Sequence, residues 1–268
     1  MVSVKAKRNF KLKLLSTHIA LILGLMVCTS QNQAYAANWN DRYGDGSLNN
    51  DHLQKKYDNG DTKQGQSFGT YGDETDTKPY QLVFRYSKDK GPVNSPFFVK
   101  GTNIYLDILS EDLVFDVNNK DKTQNYILGA LFNEYNSNLG YDYTEVEKKG
   151  LQYAGKINIL SKNAALKLHS EQNHLVSGLR VEQKGKITFW TQDELSQFDD
   201  VKNLGAQNIA ITVTKDNSSG QTHGLYNKLG EASLHSSENF NFTTSHNSQQ
   251  TTTDHSIGIY NDGGNTDF

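Results

Sequence analysis

The sequence predicts an all-β fold, a parallel β-helix built from irregular repeats. Three observations point there. Only 35% of the 268 residues are hydrophobic and the mean hydropathy is −0.69, too polar for a thick α/β core. Asn supplies 27 residues, a residue that closes turns through its side chain and tolerates left-handed backbone. Short alternating strands recur, each followed by a Gly flanked by apolar or small residues, with spacers of unequal length.

Before that pattern comes a distinct amino terminus. Lys5, Lys7, Arg8, Lys11 and Lys13 precede the apolar run Ile19–Cys28, and a polar stretch ends in Ala34-Tyr35-Ala36. A basic start, a short apolar core and an A-x-A end predict a bacterial secretory signal peptide over 1–36, cleaved after Ala36. The apolar run is too short to span a bilayer, which needs about 20 such residues. Removing the segment leaves 22 basic against 30 acidic groups, turning a formal charge of −3 into −8. Cys28, the single cysteine, goes with it. Its neighbour Val27 is not the small residue expected before an acylated cysteine. A disulfide scaffold, a thiolate metal site and a Cys nucleophile are thereby excluded from the mature chain.

Residues 37–80 are polar and acidic, with Trp39, Leu48, Leu53 and Phe68 as isolated apolar points, and read as a flexible leader. Over 81–110, Leu82–Tyr86, Phe97–Val99 and Ile104–Leu109 are β-prone runs separated by turn material, a β-rich opening or cap.

Over 111–268 the repeat is explicit. Leu113–Val117 leads to Leu128-Gly129-Ala130, Ala165–Leu168 to Ser177-Gly178-Leu179, Ile209–Val213 to His223-Gly224-Leu225, and Phe240–Phe242 to Ile257-Gly258-Ile259. A second correspondence joins Gly155-Lys156-Ile157-Asn158-Ile159, Gly185-Lys186-Ile187-Thr188-Phe189 and Gly230-Glu231-Ala232-Ser233-Leu234. Propeller blades must match in length, whereas a solenoid loops extra residues outward. Alternation puts Ile209, Ile211 and Val213 on one face, where equivalent positions of successive coils stack into an apolar column. Gly would supply positive φ where the chain turns, and Asn227 and Asn261 would hold the corners that follow. An antiparallel β-sandwich or meander would use the same strands and turns.

The signal, the cysteine-free mature chain and the units Gly224-Leu225-Tyr226-Asn227 and Gly258-Ile259-Tyr260-Asn261 resemble passenger regions of Gram-negative autotransporters, over about residues 110–268. The resemblance implies a right-handed β-helix, exported and displayed at the cell surface or secreted. It also implies an outer-membrane β-barrel in a full-length version. This chain has no barrel strands and ends in Asp262–Phe268, which reads as a repeat array truncated at its C-terminus.

Catalytic chemistry is sparse. The eight His lack the helical spacing of a zinc hydrolase. Asp41–Gly46 resembles the opening of a calcium loop, but Tyr43 and His52 occupy ligand places. There is no Gly-Asp-Ser-Gly, no nucleophile elbow and no phosphate-binding loop. Asp193, Glu194, Asp199 and Asp200 form an acidic cluster that could do acid–base work on a polysaccharide only at a suitable separation. The charge of −8 and the lack of a basic stripe disfavour nucleic acid. The expectation is a non-enzymatic, adhesin-like surface protein with no assigned catalytic, metal or cofactor residues. Its partners would be glycans or proteins of host or neighbouring cells. A β-helix polysaccharide lyase or hydrolase, or a non-functional gene remnant, are the alternatives.

Overall fold

A computed structural model describes residue 39 and residues 55–58, 68–71, 80–100, 104–119, 126–131, 155–171, 175–216, 220–247 and 255–268. The signal segment, the Asp41–His52 motif, and His18, His52 and His174 lie outside them. Strands dominate the described residues, and every pairing between them is parallel. The antiparallel sandwich or meander therefore does not hold for them. Among the described residues, no helix is long and apolar enough to cross a membrane.

The chain visits three faces in turn. Face one holds β1 (Lys55–Asp58), β3 (Tyr80–Arg85), the first half of β5 (Ile104–Asn119), the first half of β7 (Lys156–Ser170), β9 (Lys186–Phe189), β12 (Glu231–Leu234) and β15 (Asn265–Asp267). Face two holds the second halves of β5 and β7, then β10 (Asn208–Asp216) and β13 (Asn239–Asn247). Face three holds β2 (Phe68–Tyr71), β4 (Phe97–Lys100), β6 (Tyr126–Leu131), β8 (Val176–Glu182), β11 (Gln221–Lys228) and β14 (His255–Asp262). Each strand pairs with its counterpart one rung later. β1 and β2 lie within the stretch assigned to the leader, and β5 crosses residue 110 unbroken.

The register explains why so few apolar residues suffice. On face one Leu82, Leu106, Ile157, Ile187 and Ala232 are successive partners, as are Phe84, Ile108, Ile159, Phe189 and Leu234. On face two Phe115, Leu166, Ile211 and Phe242 follow one another. On face three the sequence is Phe97, Leu128, Leu179, Leu225 and Ile259. Ile209, Ile211 and Val213 are all buried, as their alternation predicts. Each buried aliphatic or aromatic side chain contributes about 1.5–3 kcal/mol relative to exposure, so the inward columns of the three faces sustain a parallel-stranded core.

Two details correct the repeat as read from sequence. Leu128 pairs with Leu179, which sets Gly129 against Arg180 rather than against Gly178. The glycines Gly178 and Gly224 occupy equivalent places, and their need is close approach rather than positive φ. A Cβ on Gly224 would stand 2.6 Å from the Gly258 carbonyl oxygen and collide with the edge of the Phe242 ring. At the corners after face three, the left-handed residues are Gln183, Lys184 and Leu229 (φ 43°, 63° and 59°), with Gly263 at 68°. Asn227 does hold its corner: its Oδ1 accepts from the Gly230 N–H at 3.1 Å, while Nδ2 donates to the Asn265 carbonyl at 3.0 Å. Asn261 Nδ2 donates likewise to the Gly264 carbonyl.

Candidate functional site

The outward side of face three carries the most organised chemistry. On β8 and β11 Leu179 and Leu225 are buried while the next residues, Arg180 and Tyr226, are half-exposed and point out. Along the rungs the outward residues at this level are Phe98, Gly129, Arg180, Tyr226 and Tyr260. Gly129 is required here, because the Tyr126 ring lies over it; a Cβ would stand 2.7 Å from that ring.

The result is a continuous stack. The Arg180 guanidinium lies 6.0 Å from the Tyr126 ring centre and 5.4 Å from that of Tyr226. Tyr226 and Tyr260 are parallel within 7°, with centroids 5.1 Å apart. Rungs of a sheet repeat every 4.7–4.9 Å or so, within the roughly 4.5–7 Å centroid range of offset aromatic pairs, so equivalent positions of a parallel ladder bring planar side chains into stacking range. Each cation–π contact is worth about 0.5–2 kcal/mol according to its exposure. Glu182 fixes the guanidinium, accepting from its Nε at 2.8 Å and its Nη2 at 2.7 Å.

His223 forms the floor. It is fully buried, tilted against Tyr226 and Tyr260 at 5.5 and 5.3 Å, and neither ring nitrogen has a hydrogen-bond partner. Burial, and then the Arg180 charge, push its pKa down to about 4, so the imidazole is neutral. Burial and the Glu182 carboxylate raise the Tyr226 phenol against the opposing pull of Lys228 and Arg180, so its hydroxyl stays a donor. Tyr126 is buried at one end of the stack, whereas Arg180, Tyr226 and Tyr260 are half-buried, and their guanidinium and phenol edges can hydrogen-bond a row of hydroxyl or carbonyl groups.

The acidic cluster is built into the fold. Residues 190–207 form an insertion between β9 and β10, begun by the short helix α1 (Gln192–Leu195). Glu194 closes a capping box with Thr191 and its carboxylate accepts from His235 Nδ1–H at 2.9 Å, while His235 Nε2 lies 3.2 Å from Asp267. Burial opposes charge on His235, but its hydrogen bonds to Glu194 and Asp267 prevail and raise its pKa. Asp199 pairs with Lys202 and Asp200 accepts from the Trp39 N–H. Of the other histidines, His169 lies 3.2 Å from Asp216, while His246 and His255 sit on β13 and β14. Among the described residues no group of three His, Cys, Asp or Glu is arranged to hold a metal ion.

Sequence reasoning noted Arg180, Tyr226 and Tyr260 only as members of a repeated unit, and passed over Tyr126. The signal was present: Arg180, Tyr226 and Tyr260 all stand two places after the Gly of their units. Compared with protein-family models, curated proteins and solved structures, the chain shows no match.

Proposed function

We propose that the chain is an exported, non-enzymatic β-helical surface protein, the passenger part of an autotransporter-like adhesin, wound as a right-handed solenoid. It leaves the cell by its cleaved signal and is displayed at the Gram-negative cell surface or secreted, with a membrane barrel belonging to a longer version. Its outer face-three stack binds glycans or glycosylated proteins on host or neighbouring cells. The observation that carries this reading is the run of Tyr126, Arg180, Tyr226 and Tyr260 across four rungs. A recognition surface gains from aromatic and Arg side chains, which contribute large contact energies for little lost freedom. The engagement of Glu194, Asp199 and Asp200 in structural contacts gives the polysaccharide-hydrolase reading no matching support. The test is binding of the purified full chain to cells and a surface-glycan panel, with reducing-sugar release followed in parallel. Saturable binding without release is expected; release without saturable binding would sink the proposal.

A further inference from the structure

The inward columns are sealed through the middle of the ladder and open at its last rung. Ile209, Ile211 and Val213 are buried, whereas their partners one rung on, Phe240, Phe242 and Thr244, are only half-buried. On face three Leu225 is fully buried and its partner Ile259 is 39% exposed. Among the described residues the exposed large hydrophobic side chains are Leu229, Ile259 and Phe268, at 42%, 39% and 67%. All three lie at this end. Ile259 is on β14, Phe268 directly follows β15, and the Leu229 N–H donates to the Asp262 carbonyl.

The backbone is open at the same place. Among the described residues β13 pairs only with β10, β14 only with β11 and β15 only with β12. Each therefore leaves one row of N–H and C=O groups without a strand partner. Native edges are guarded by Lys, Pro, a bulge or a very short strand. These three contain no Lys, Arg or Pro, and β13 and β14 run 9 and 8 residues, longer than the modal strand of about 5–6. An unguarded apolar edge is a template for another strand.

The three open edges together select the partner. One extended peptide would cover a single face. A matching edge must itself pass through three faces of the same size, and a second copy of this end presents one. The 9, 8 and 3 residues of the rung approach the roughly 20–30 that one side of a standard interface uses. β13 also suits its own copy. Paired antiparallel about Thr243, it sets Phe240 against His246 and Phe242 against Thr244 on the inward side, with Asn239 against Asn247 and Asn241 against Ser245 outside. No carboxylate or ammonium group faces another across that pair.

We propose that this end of the 268-residue chain is a dimer interface, two copies joining end to end about a two-fold axis that passes through face two. The axis pairs β13 with its copy and continues face three of one protomer into face one of its partner. Such a contact is isologous and closes at two copies. The inference is independent of the adhesive reading.

Sedimentation velocity of the purified full chain, from low to high micromolar concentration, reads the assembly. A concentration-dependent dimer with no larger species is expected. Ile259→Lys puts a charge on an already exposed edge position and should raise the dissociation constant about 30-fold or more, with unchanged circular dichroism. A disulfide trap checks the register in a Cys28→Ser background under a mild oxidant. Thr243→Cys should link two chains, because directly paired Cα atoms stand about 4.5–5.5 Å apart. Thr212→Cys, one rung deeper, should stay unlinked, three strand spacings or about 14 Å from its copy. A parent that remains monomeric overturns the proposal and leaves the end to a strand from a different protein. Open-ended oligomers, or a folded Ile259→Lys that dimerises as the parent does, overturn it equally. Should Ile259→Lys not fold, the two cysteine variants decide alone, and equal linkage at Thr212 and Thr243 would overturn the interface.

Discussion

Tyr226 and Tyr260 stack with their planes 7° apart and their centroids 5.1 Å apart, one rung above the other. The geometry follows from the parallel register, which places the third residue of one Gly-Leu-Tyr-Asn unit over the third of the next. Tyr226 is the middle of the stack, gripped by Arg180 on one side and Tyr260 on the other. Under the proposed function, Tyr226→Ala weakens glycan or cell binding by about 2 kcal/mol, roughly 30-fold, as a hot-spot residue would. Tyr226→Phe, which keeps the ring, loses less. Binding isotherms of the two variants against the parent decide it; undiminished affinity in Tyr226→Ala would remove the stack from recognition.

His235 ties the insertion to the last strand through Glu194 and Asp267. Its folded pKa is raised, so the contact contributes fully below the unfolded value near 6.5 and fades as pH climbs through the folded value. The Glu194 pKa is lowered: burial opposes ionisation, but hydrogen bonds from Thr191 and His235 and the His235 charge prevail. The contribution of Glu194 is therefore lost only as pH falls below the ordinary carboxylate range. His235→Gln should melt about 2–4 °C below the parent at pH 6, the scale of a partly exposed ion pair of about 1 kcal/mol. The gap should close by pH 9. Thermal melts at the two pH values measure it, and a gap that widens with pH would contradict the assignment.

Much of the architecture was legible in the sequence because a parallel ladder repeats its inward residues at equivalent places. The column Ile157, Ile187, Ala232 and the alternation of β10 could be aligned by eye, and Asn227 and Asn261 were correctly placed at corners. What could not be read was the one-residue offset at Gly129, since Gly129 makes room for a ring on its own strand, whereas Gly178 and Gly224 make room for the rung beside them. The carboxylates of the insertion were visible as a cluster but not as anchors, because Trp39 and His235 come from distant stretches; the local Thr191-x-x-Glu194 capping box was present in the sequence and went unread. The stack on face three escaped because Tyr126 stands three residues before the place its ring covers.

Gly224 faces inward with the Gly258 carbonyl and the Phe242 ring where a side chain would go. Gly224→Ala forces the two rungs apart, and overpacking of this kind costs about 1–3 kcal/mol. The backbone oxygen cannot rotate aside, so the upper part of that range is expected. By contrast, Gly258→Ala meets nothing within 4 Å and should leave stability unchanged. Urea unfolding of the pair is the measurement. Equal midpoints for the two variants would show that close approach is not what Gly224 provides.

His223 makes the sharpest pH prediction. Buried with both nitrogens unpartnered, it stays neutral in the folded chain down to about pH 4, whereas it takes up a proton near pH 6.5 when unfolded. Between those values the unfolded chain binds the extra proton, so stability falls as pH falls, at about 1.36 kcal/mol per unit for one such group. Acidification from pH 6.5 to 4 therefore costs on the order of 3 kcal/mol through His223 alone. His223→Leu removes the titrating group and the two unsatisfied nitrogens together. At pH 7 it should be at least as stable as the parent, because an unpaired buried polar group costs about 1–3 kcal/mol. Below pH 6 its advantage should grow steadily. Denaturant midpoints of parent and variant at pH 7, 5.5 and 4.5 test this, and a stability difference independent of pH would show that His223 is not held neutral beneath the stack.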